Sequence, residues 1–151
     1  VRHIPDVPSP PFYQRFRTFT THLDRWFDYE FLLPATLLMQ SGGKPVGSAS
    51  DDMSQAVRLH SCQTLTPETE NSTHYFFQQS HQSDLGDETV TQSIYNSLVQ
   101  AFEEDRNMIT AQYLNMQTTA QKPMLPLHFD AALVQFRKMV SDEKIAEDAA
   151  N

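Results

Sequence analysis

The amino-acid sequence predicts an α+β fold, because strand-like segments fill its first half and two long amphipathic helices fill its second. Segments 24–33, 57–65 and 72–80 alternate apolar or aromatic with polar side chains, which is the period of half-buried strands. The shorter segment 36–40 is a fourth strand candidate. Strands followed by helices favour an antiparallel sheet with helices on one face.

The long helices are predicted from apolar residues at helical spacing. The first runs from about Thr89 to Gln117, and Thr89 followed three places later by Gln92 resembles a capping box. Pro123 and Pro126 mark a break. A second helix is then expected from about Asp130 to Asp148, with an apolar inner stripe that contains Leu133, Phe136, Val140 and Ile145.

Two segments are predicted to lie outside this regular structure. Residues 1–11 are rich in proline and are expected to form a linker or a wrapping arm, so the chain divides into an extended N-terminal arm, 1–23, and a domain, 24–151. Residues 41–52 are rich in glycine and serine and are expected to form a long mobile loop between strands.

Composition excludes several classes of function. The 151 residues carry 11 basic and 19 acidic side chains, a net charge of −8, so neither a nucleic-acid nor an anionic membrane partner is expected. No run of 18 apolar residues is present to span a bilayer. Cys62 is the only cysteine, which rules out a disulfide within the chain and fits a reducing, cytoplasmic setting.

Three consecutive acids, Glu103, Glu104 and Asp105, interrupt the first predicted helix. At about 100° per residue, Leu98 and Met116 lie within about 20° of Asp105, so Asp105 sits at the centre of the apolar stripe. The two glutamates fall on the opposite, solvated side.

A carboxylate buried on such a stripe costs several kcal/mol unless a proton, a cationic side chain or a metal neutralises it. An ion pair with an arginine such as Arg15 or Arg58 would serve, and so would a metal or catalytic role for Asp105. The residues alone leave both interpretations open.

The segment "LTPETENSTHYFF", residues 65–77, resembles a strand–turn–strand segment of the Rieske-type non-haem iron oxygenases, in particular the oxygenase components of vanillate and dicamba O-demethylases. The resemblance continues through "AFEEDRNMITAQ", residues 101–112, and "FDAALVQFRKMVSDE", residues 129–143. It covers roughly residues 24–147. It implies a helix-grip (START-like) fold, with an antiparallel sheet packed on the long C-terminal helices.

The resemblance assigns Asp105 as the carboxylate of a two-histidine–one-carboxylate site for mononuclear Fe(II). The family's histidine ligands form a His-x4-His pair, and the six histidines of this chain include no such spacing. The family's 2Fe–2S Rieske cluster needs two cysteines and two histidines, which one cysteine cannot satisfy. The chain is therefore expected to be the C-terminal portion of the catalytic domain, without the Rieske domain, and inactive alone.

Two substrate-binding residues are proposed, Gln63 from the resemblance and Asn96 from its position on the first predicted helix. Gln63 stands where the demethylases tend to have a histidine near the substrate carboxylate, and an amide pairs less strongly with an anion. Asn96 is expected to line the same cavity. An outward-facing strand position remains the alternative for Gln63.

The resemblance implies the oxygenase component of an aromatic monooxygenase that uses O2 to hydroxylate a small aromatic substrate or its methyl substituent. It also implies a reductase partner and a homotrimer. The alternative is a non-catalytic helix-grip module that binds apolar small molecules, in which Asp105 pairs with a cation and no iron is bound.

Overall fold

The structure, a computed structural model, describes residues 1–119, 127 and 130–150. The chain forms two compact units, Val1–Gln92 and Ser93–Asn151. The first contains a five-stranded antiparallel sheet and the second contains most of the helical residues. The predicted α+β class is confirmed. Among the described residues, no helix is both long and apolar enough to cross a membrane.

Neighbouring strands of the sheet follow one another in the sequence. They are β1 (Arg2–Val7), β2 (Leu23–Leu32), β3 (Thr36–Pro45), β4 (Val57–Pro67) and β5 (Thr73–His81). The strands predicted at 24–33, 57–65 and 72–80 are confirmed, with ends that differ by no more than two residues. Each pair of consecutive strands is antiparallel, so the side chains of two residues paired across the strands lie on the same side of the sheet.

Strand β3 is longer than predicted, and the loop expected at 41–52 is wrong over its first five residues. Ser41, Gly42 and Gly43 are buried and pair with both β2 and β4. Gly42 lies opposite Trp26, and a Cβ atom on Gly42 would come within 2.7 Å of Cη2 of the indole ring. The glycine therefore makes room for the tryptophan side chain; it does not mark a loop.

The N-terminal segment, predicted to be a linker or a wrapping arm, contains a strand: Arg2–Val7 pairs with β2 as an edge strand of the same sheet. Proline is tolerated on an edge strand, where one side of the backbone needs no partner. The pairing shifts between Ile4 and Val7, where Asp6 has a φ of 53°. The Asp6 amide donates a hydrogen bond to Oδ1 of Asp24 at 3.0 Å, which holds this irregular turn against β2.

The sheet has a buried face and an exposed face. Val57, Leu59 and Ser61 of β4 are buried whereas the alternating Arg58 and His60 are exposed, so the former set defines the inner face. The core of the first unit covers one end of that inner face and consists of Tyr13, Phe16, Leu23, Ala56, Val57 and Leu59.

The first helix, α1, spans Glu88–Thr118, as predicted. Its cap is Asp87 rather than the predicted Thr89–Gln92 box: Oδ1 of Asp87 accepts hydrogen bonds from the amides of Thr89 at 2.9 Å and Val90 at 3.1 Å. The second helix, α2, spans Ala131–Ala150 and confirms the second predicted helix. The predicted break at Pro123 and Pro126 lies outside the described residues.

The apolar stripes of the two helices are largely exposed, contrary to expectation. Ile94 is buried, but farther along α1 Met108 and Ile109 are 73% and 64% exposed, and on α2 Ile145 is 64% exposed. Leu133 and Val140 of α2 are exposed as well. The helical period identified which side is apolar, but it does not establish that another element covers that side.

Candidate functional site

Beyond the core, the inner face of the sheet continues as a partly open apolar surface, here called the apolar wall. It comprises Phe31, Leu37, Met39, Gln63, Leu65, Tyr75 and Phe77. The strand register places them side by side: Leu37 lies opposite both Phe31 and Gln63, and Gln63 lies opposite Phe77. Leu65 and Tyr75 remain 45% and 39% exposed, and the other members are half-buried.

A chain of three polar side chains crosses this wall. The hydroxyl of Tyr75 donates a hydrogen bond to Oε1 of Gln63 at 2.8 Å, and Nε2 of Gln63 donates to Oγ of Ser61 at 3.1 Å. Gln63 therefore belongs to the inner face and is not an outward strand residue. Its amide is held at both ends, and one N–H of Nε2 has no partner among the described residues.

The wall contains no Lys, Arg or His, as follows from the register of the described strands. The inner face does carry Arg2 of β1, opposite Phe27, and His81 of β5, opposite Leu59. It also carries Arg25, six residues before Phe31 on β2, which corresponds to about 20 Å along the strand. Its guanidinium carbon lies 5.0 Å from the centres of both the Tyr13 and the Phe27 ring. Arg25 thus packs against the aromatic side chains at the core end and is remote from Gln63.

Tyr13 is the core residue whose ionisation the structure perturbs. Burial raises the pKa of the Tyr13 phenol, and the hydrogen bond and positive charge of Arg25 only partly oppose this rise. Tyr13 is therefore uncharged at neutral pH and contributes to the core rather than to acid–base chemistry.

The outer face of the sheet has an open depression of about 240 Å³. Its side chains come from neighbouring positions on three strands: Leu38, Gln40, His60, Cys62, Gln78 and Ser80. The single cysteine lies here, half-buried.

The three acids of α1 occupy different environments. Glu103 forms an ion pair with Arg106 at 2.6 Å, and Glu104 accepts a hydrogen bond from Gln100 at 3.1 Å. The side chain of Asp105 has no hydrogen bond or ion pair within the part of the chain that the structure describes. The two glutamates are exposed, as predicted, and each contacts a neighbour on its own helix.

The predicted burial of Asp105 is wrong for this chain, because its side chain is exposed together with Met108 and Ile109 of the same apolar stripe. A solvated carboxylate needs no counter-ion. The electrostatic reason for a cation therefore does not arise within this chain, and the metal role of Asp105 depends on the family resemblance.

The structure does not bring Asn96 and Asp105 together. They are nine residues apart on α1, about two and a half turns, so their side chains leave opposite sides of the helix. Asn96 is exposed. Among residues 1–119, 127 and 130–150, no three His, Cys, Asp or Glu side chains are grouped to hold a metal ion.

Comparison with known proteins gives the lineage of the chain. Residues 1–144 match the family described as the vanillate O-demethylase oxygenase C-terminal domain. The chain belongs to this family. The predicted resemblance to Rieske-type oxygenases is confirmed at that level.

Two relatives of this chain illustrate the match. A putative toluene-4-sulfonate monooxygenase system iron-sulfur subunit, TsaM2, of Comamonas testosteroni is 41% identical over 117 residues, 76% of this chain and 34% of the relative. The vanillate O-demethylase oxygenase subunit of Pseudomonas sp. (strain ATCC 19151) is 29% identical over 130 residues, 85% of this chain and 40% of the relative. The chain thus spans about a third to two fifths of these relatives. No solved structure matches it.

Sequence reasoning identified Gln63 but missed its partners, Ser61 and Tyr75. The alternation of β4 already put Ser61 and Gln63 on one face. Placing Tyr75 beside them required the register of the β4–β5 hairpin, in which Leu65 faces Tyr75 and Gln63 faces Phe77. The segment 65–77 contains the turn of this hairpin, so the pairing of its two strands was the signal that could have placed Tyr75 beside Gln63.

Proposed function

We propose that the chain is the C-terminal part of the catalytic domain in the oxygenase component of a Rieske-type aromatic monooxygenase. The observation that carries the proposal is the family match over residues 1–144. The relatives named as a monooxygenase iron-sulfur subunit and as an O-demethylase oxygenase subunit support it. A small aromatic substrate, O2, a reductase, a homotrimeric assembly and a cytoplasmic location are parts of the same proposal.

Asp105 is proposed as the carboxylate ligand of mononuclear Fe(II). A single aspartate oxygen on a helix suits the anionic position of a two-histidine–one-carboxylate site. Asp105 also differs from Glu103 and Glu104 in having no partner among the described residues. The sequence contains no His-x4-His pair and only one cysteine, so in the proposal the two histidines and the 2Fe–2S cluster are supplied by further polypeptide.

The iron, when bound, would supply activation of O2 for hydroxylation of the aromatic substrate or its methyl substituent. The residues of this chain would bind and orient that substrate. The apolar wall offers aromatic and aliphatic contacts that displace water from a ring, and Gln63 offers a hydrogen bond to a polar substituent. Asn96 remains a second, independent prediction of a substrate contact.

We assign the substrate contacts to the apolar wall rather than to the outer depression, because the wall is continuous with the core. Leu59 and Ser61 are buried, and Gln63 and Leu65 continue the same side of β4 toward increasing exposure. An apolar surface that extends a core without being filled is what a substrate-binding cavity requires of its wall. The depression around His60 and Cys62 lies on the outer face, and its lining includes the polar side chains of Gln40, Gln78 and Ser80.

The experiment that tests the iron assignment is Asp105→Ala in the natural full-length protein. We expect loss of the mononuclear iron while the visible and EPR spectra of the 2Fe–2S cluster persist. Glu104→Ala is the matched control: it removes an adjacent acid of the same helix, and we expect unchanged iron. Equal iron content in wild type and Asp105→Ala would refute the assignment.

The alternative is a small-molecule-binding module without catalysis, which the apolar wall would support by itself. The two functions differ in their products. If methoxylated aromatic compounds bind to the full-length protein but release no formaldehyde in the presence of a reductase and O2, and no mononuclear iron is found, the binding module is the correct function.

A further inference from the structure

We propose that His81 and Thr91 are positioning residues for the iron-binding carboxylate: the hydrogen bond between them fixes the direction of α1 at its first turn, and α1 carries Asp105. The inference rests on the proposed function for the role of Asp105, and on contacts within the first unit for everything else. It deepens that function because it names two residues, remote from the metal ligand along the helix, that set the position of the ligand.

His81 is fixed at the junction of β5 and the core. It is the last residue of β5 and lies on the inner face, opposite the buried Leu59. Its ring packs against the core residue Phe16, with ring centres 5.6 Å apart. The strand and this ring contact hold the half-buried imidazole, so it is an ordered part of the core end of the sheet.

Both nitrogens of the His81 ring are engaged. Nδ1 lies 2.8 Å from the carbonyl oxygen of Gln82, and because a carbonyl can only accept, Nδ1 donates this hydrogen bond. Nε2, on the other side of the ring, lies 2.9 Å from Oγ1 of Thr91. Rotation of the ring about its Cβ–Cγ bond would break both contacts, so the pair of contacts orients the ring toward α1.

Thr91 connects this ring to the backbone of the helix. Its amide and its hydroxyl both contact the carbonyl oxygen of Asp87, at 3.0 and 3.1 Å. A threonine hydroxyl that bonds the carbonyl four residues earlier is restricted to one rotamer. His81 and Thr91 both belong to the first unit, Val1–Gln92. The hydroxyl of Thr91 therefore joins the last residue of β5 to the first turn of α1.

This contact differs in kind from the helix cap. Asp87 accepts hydrogen bonds from two amides of α1 itself, so it stabilises the first turn without directing it. The bond between Thr91 and His81 reaches from the helix to a strand. A contact of that kind restricts the direction in which the helix continues.

The position of Asp105 is sensitive to that direction. Asp105 lies fourteen positions after Thr91 on the same helix, which corresponds to about 21 Å along the axis. A change of about 5° in the direction of the axis at the first turn would move Asp105 by about 2 Å. Metal–ligand distances tolerate deviations of only about 0.2 Å. Loss of the His81–Thr91 bond should therefore weaken iron binding.

The test is Thr91→Val in the natural full-length protein, which removes the hydroxyl and keeps the branched shape. The mononuclear iron is removed by chelation, and the Kd for Fe(II) is measured by anaerobic equilibrium dialysis. We expect the Kd to rise about fivefold, the loss expected for one hydrogen bond, with unchanged visible and EPR spectra of the 2Fe–2S cluster. Thr91→Ser restores the hydroxyl and should return the Kd to the wild-type value.

The matched control is Thr118→Val. Oγ1 of Thr118 contacts the carbonyl oxygens of Leu114 and Asn115 at 3.3 and 3.1 Å, so the control removes a helical threonine hydroxyl whose bonds stay within α1. We expect a wild-type Kd for Fe(II). This control separates loss of the strand contact from a general effect of valine in the helix.

A double-variant cycle tests whether the two residues act through one contact. His81→Phe keeps an aromatic ring against Phe16 and removes both ring nitrogens. Adding Thr91→Val to His81→Phe should raise the Kd for Fe(II) no further, because the bond is already absent.

Hydrogen–deuterium exchange at the start of α1 gives a measurement that does not depend on the metal. In protein without mononuclear iron, we expect faster exchange of that segment in Thr91→Val and wild-type exchange in Thr118→Val.

The inference is overturned if Thr91→Val binds Fe(II) as tightly as Thr118→Val, if Thr91→Ser fails to restore the Kd, or if the double variant is additive. Faster exchange with an unchanged Kd also overturns it, because the bond would then hold the helix without positioning the ligand. A wild-type protein that binds no mononuclear iron refutes the proposed function instead. That result is distinct from failure of the inference, in which wild type and Thr91→Val both bind iron equally well.

Discussion

Replacing Gly42 with alanine tests whether β3 continues through the glycine pair instead of ending in a mobile loop. A Cβ atom at Gly42 would contact Cζ2 and Cη2 of Trp26 on one side and the carbonyl oxygen of Val57 on the other. The distances to Cη2 and to the carbonyl oxygen would be 2.7 and 2.5 Å, closer than real Cβ atoms approach. The carbonyl belongs to paired backbone and cannot move independently, so the indole ring and the strand spacing must both adjust.

The expected cost follows from two opposing terms. Overpacking of this kind costs about 1–3 kcal/mol. Replacing glycine by alanine offsets about 0.4–1 kcal/mol of this, because alanine lowers the conformational entropy of the unfolded chain. The net destabilisation is about 1–2 kcal/mol, equivalent to a factor of about 5–30 in the opening equilibrium. A mobile loop would show no such penalty.

Hydrogen–deuterium exchange of the natural full-length protein measures this locally, through peptides that cover β3 and β4. Gly43→Ala is the matched control, because its Cβ would meet Cδ1 of Leu23 at 3.2 Å and Cγ of Arg25 at 3.4 Å, atoms of side chains that can shift slightly. We expect exchange to accelerate in Gly42→Ala and to stay near wild type in Gly43→Ala. Equal exchange in the two variants would refute the packing argument.

Four further substitutions probe the same unit and its boundary with α1. Leu23→Ala, at a fully buried position, should destabilise the sheet by about 2–5 kcal/mol, whereas Leu65→Ala, 45% exposed, should cost much less; chemical denaturation distinguishes them. Asp87→Ala removes two hydrogen bonds to the first turn of α1 and should cost about 1 kcal/mol, seen as faster exchange of that turn. Tyr13 should ionise above its ordinary pKa of 10.0, because burial disfavours the phenolate. The contribution of the neutral Tyr13 phenol to the free energy of unfolding is complete below pH 10 and is lost as the pH rises through the pKa of the folded state. Tyr13→Phe should therefore lessen the alkaline loss of stability and remove the late component of the ultraviolet titration.

Part of the fold could be predicted from local pattern. The alternation along 24–33, 57–65 and 72–80 reflects strands with one wet and one dry face, a property that each segment carries by itself. The same holds for α1 and α2, whose apolar residues repeat at the helical period. The strand β1 and the second half of β3 carry no such signal, because proline and glycine are common in loops and become compatible with strands only beside particular neighbours, such as Trp26 for Gly42.

The candidate site shows the same division. The sequence by itself determined the family and which of three consecutive acids lies on the apolar side of α1. Only the tertiary structure decided that Gln63 is held between Ser61 and Tyr75, and that Asp105 is exposed within this chain. The physical reason is that periodicity assigns a side chain to a face, whereas hydrogen bonding and burial depend on which strand, helix or further polypeptide comes to lie against that face.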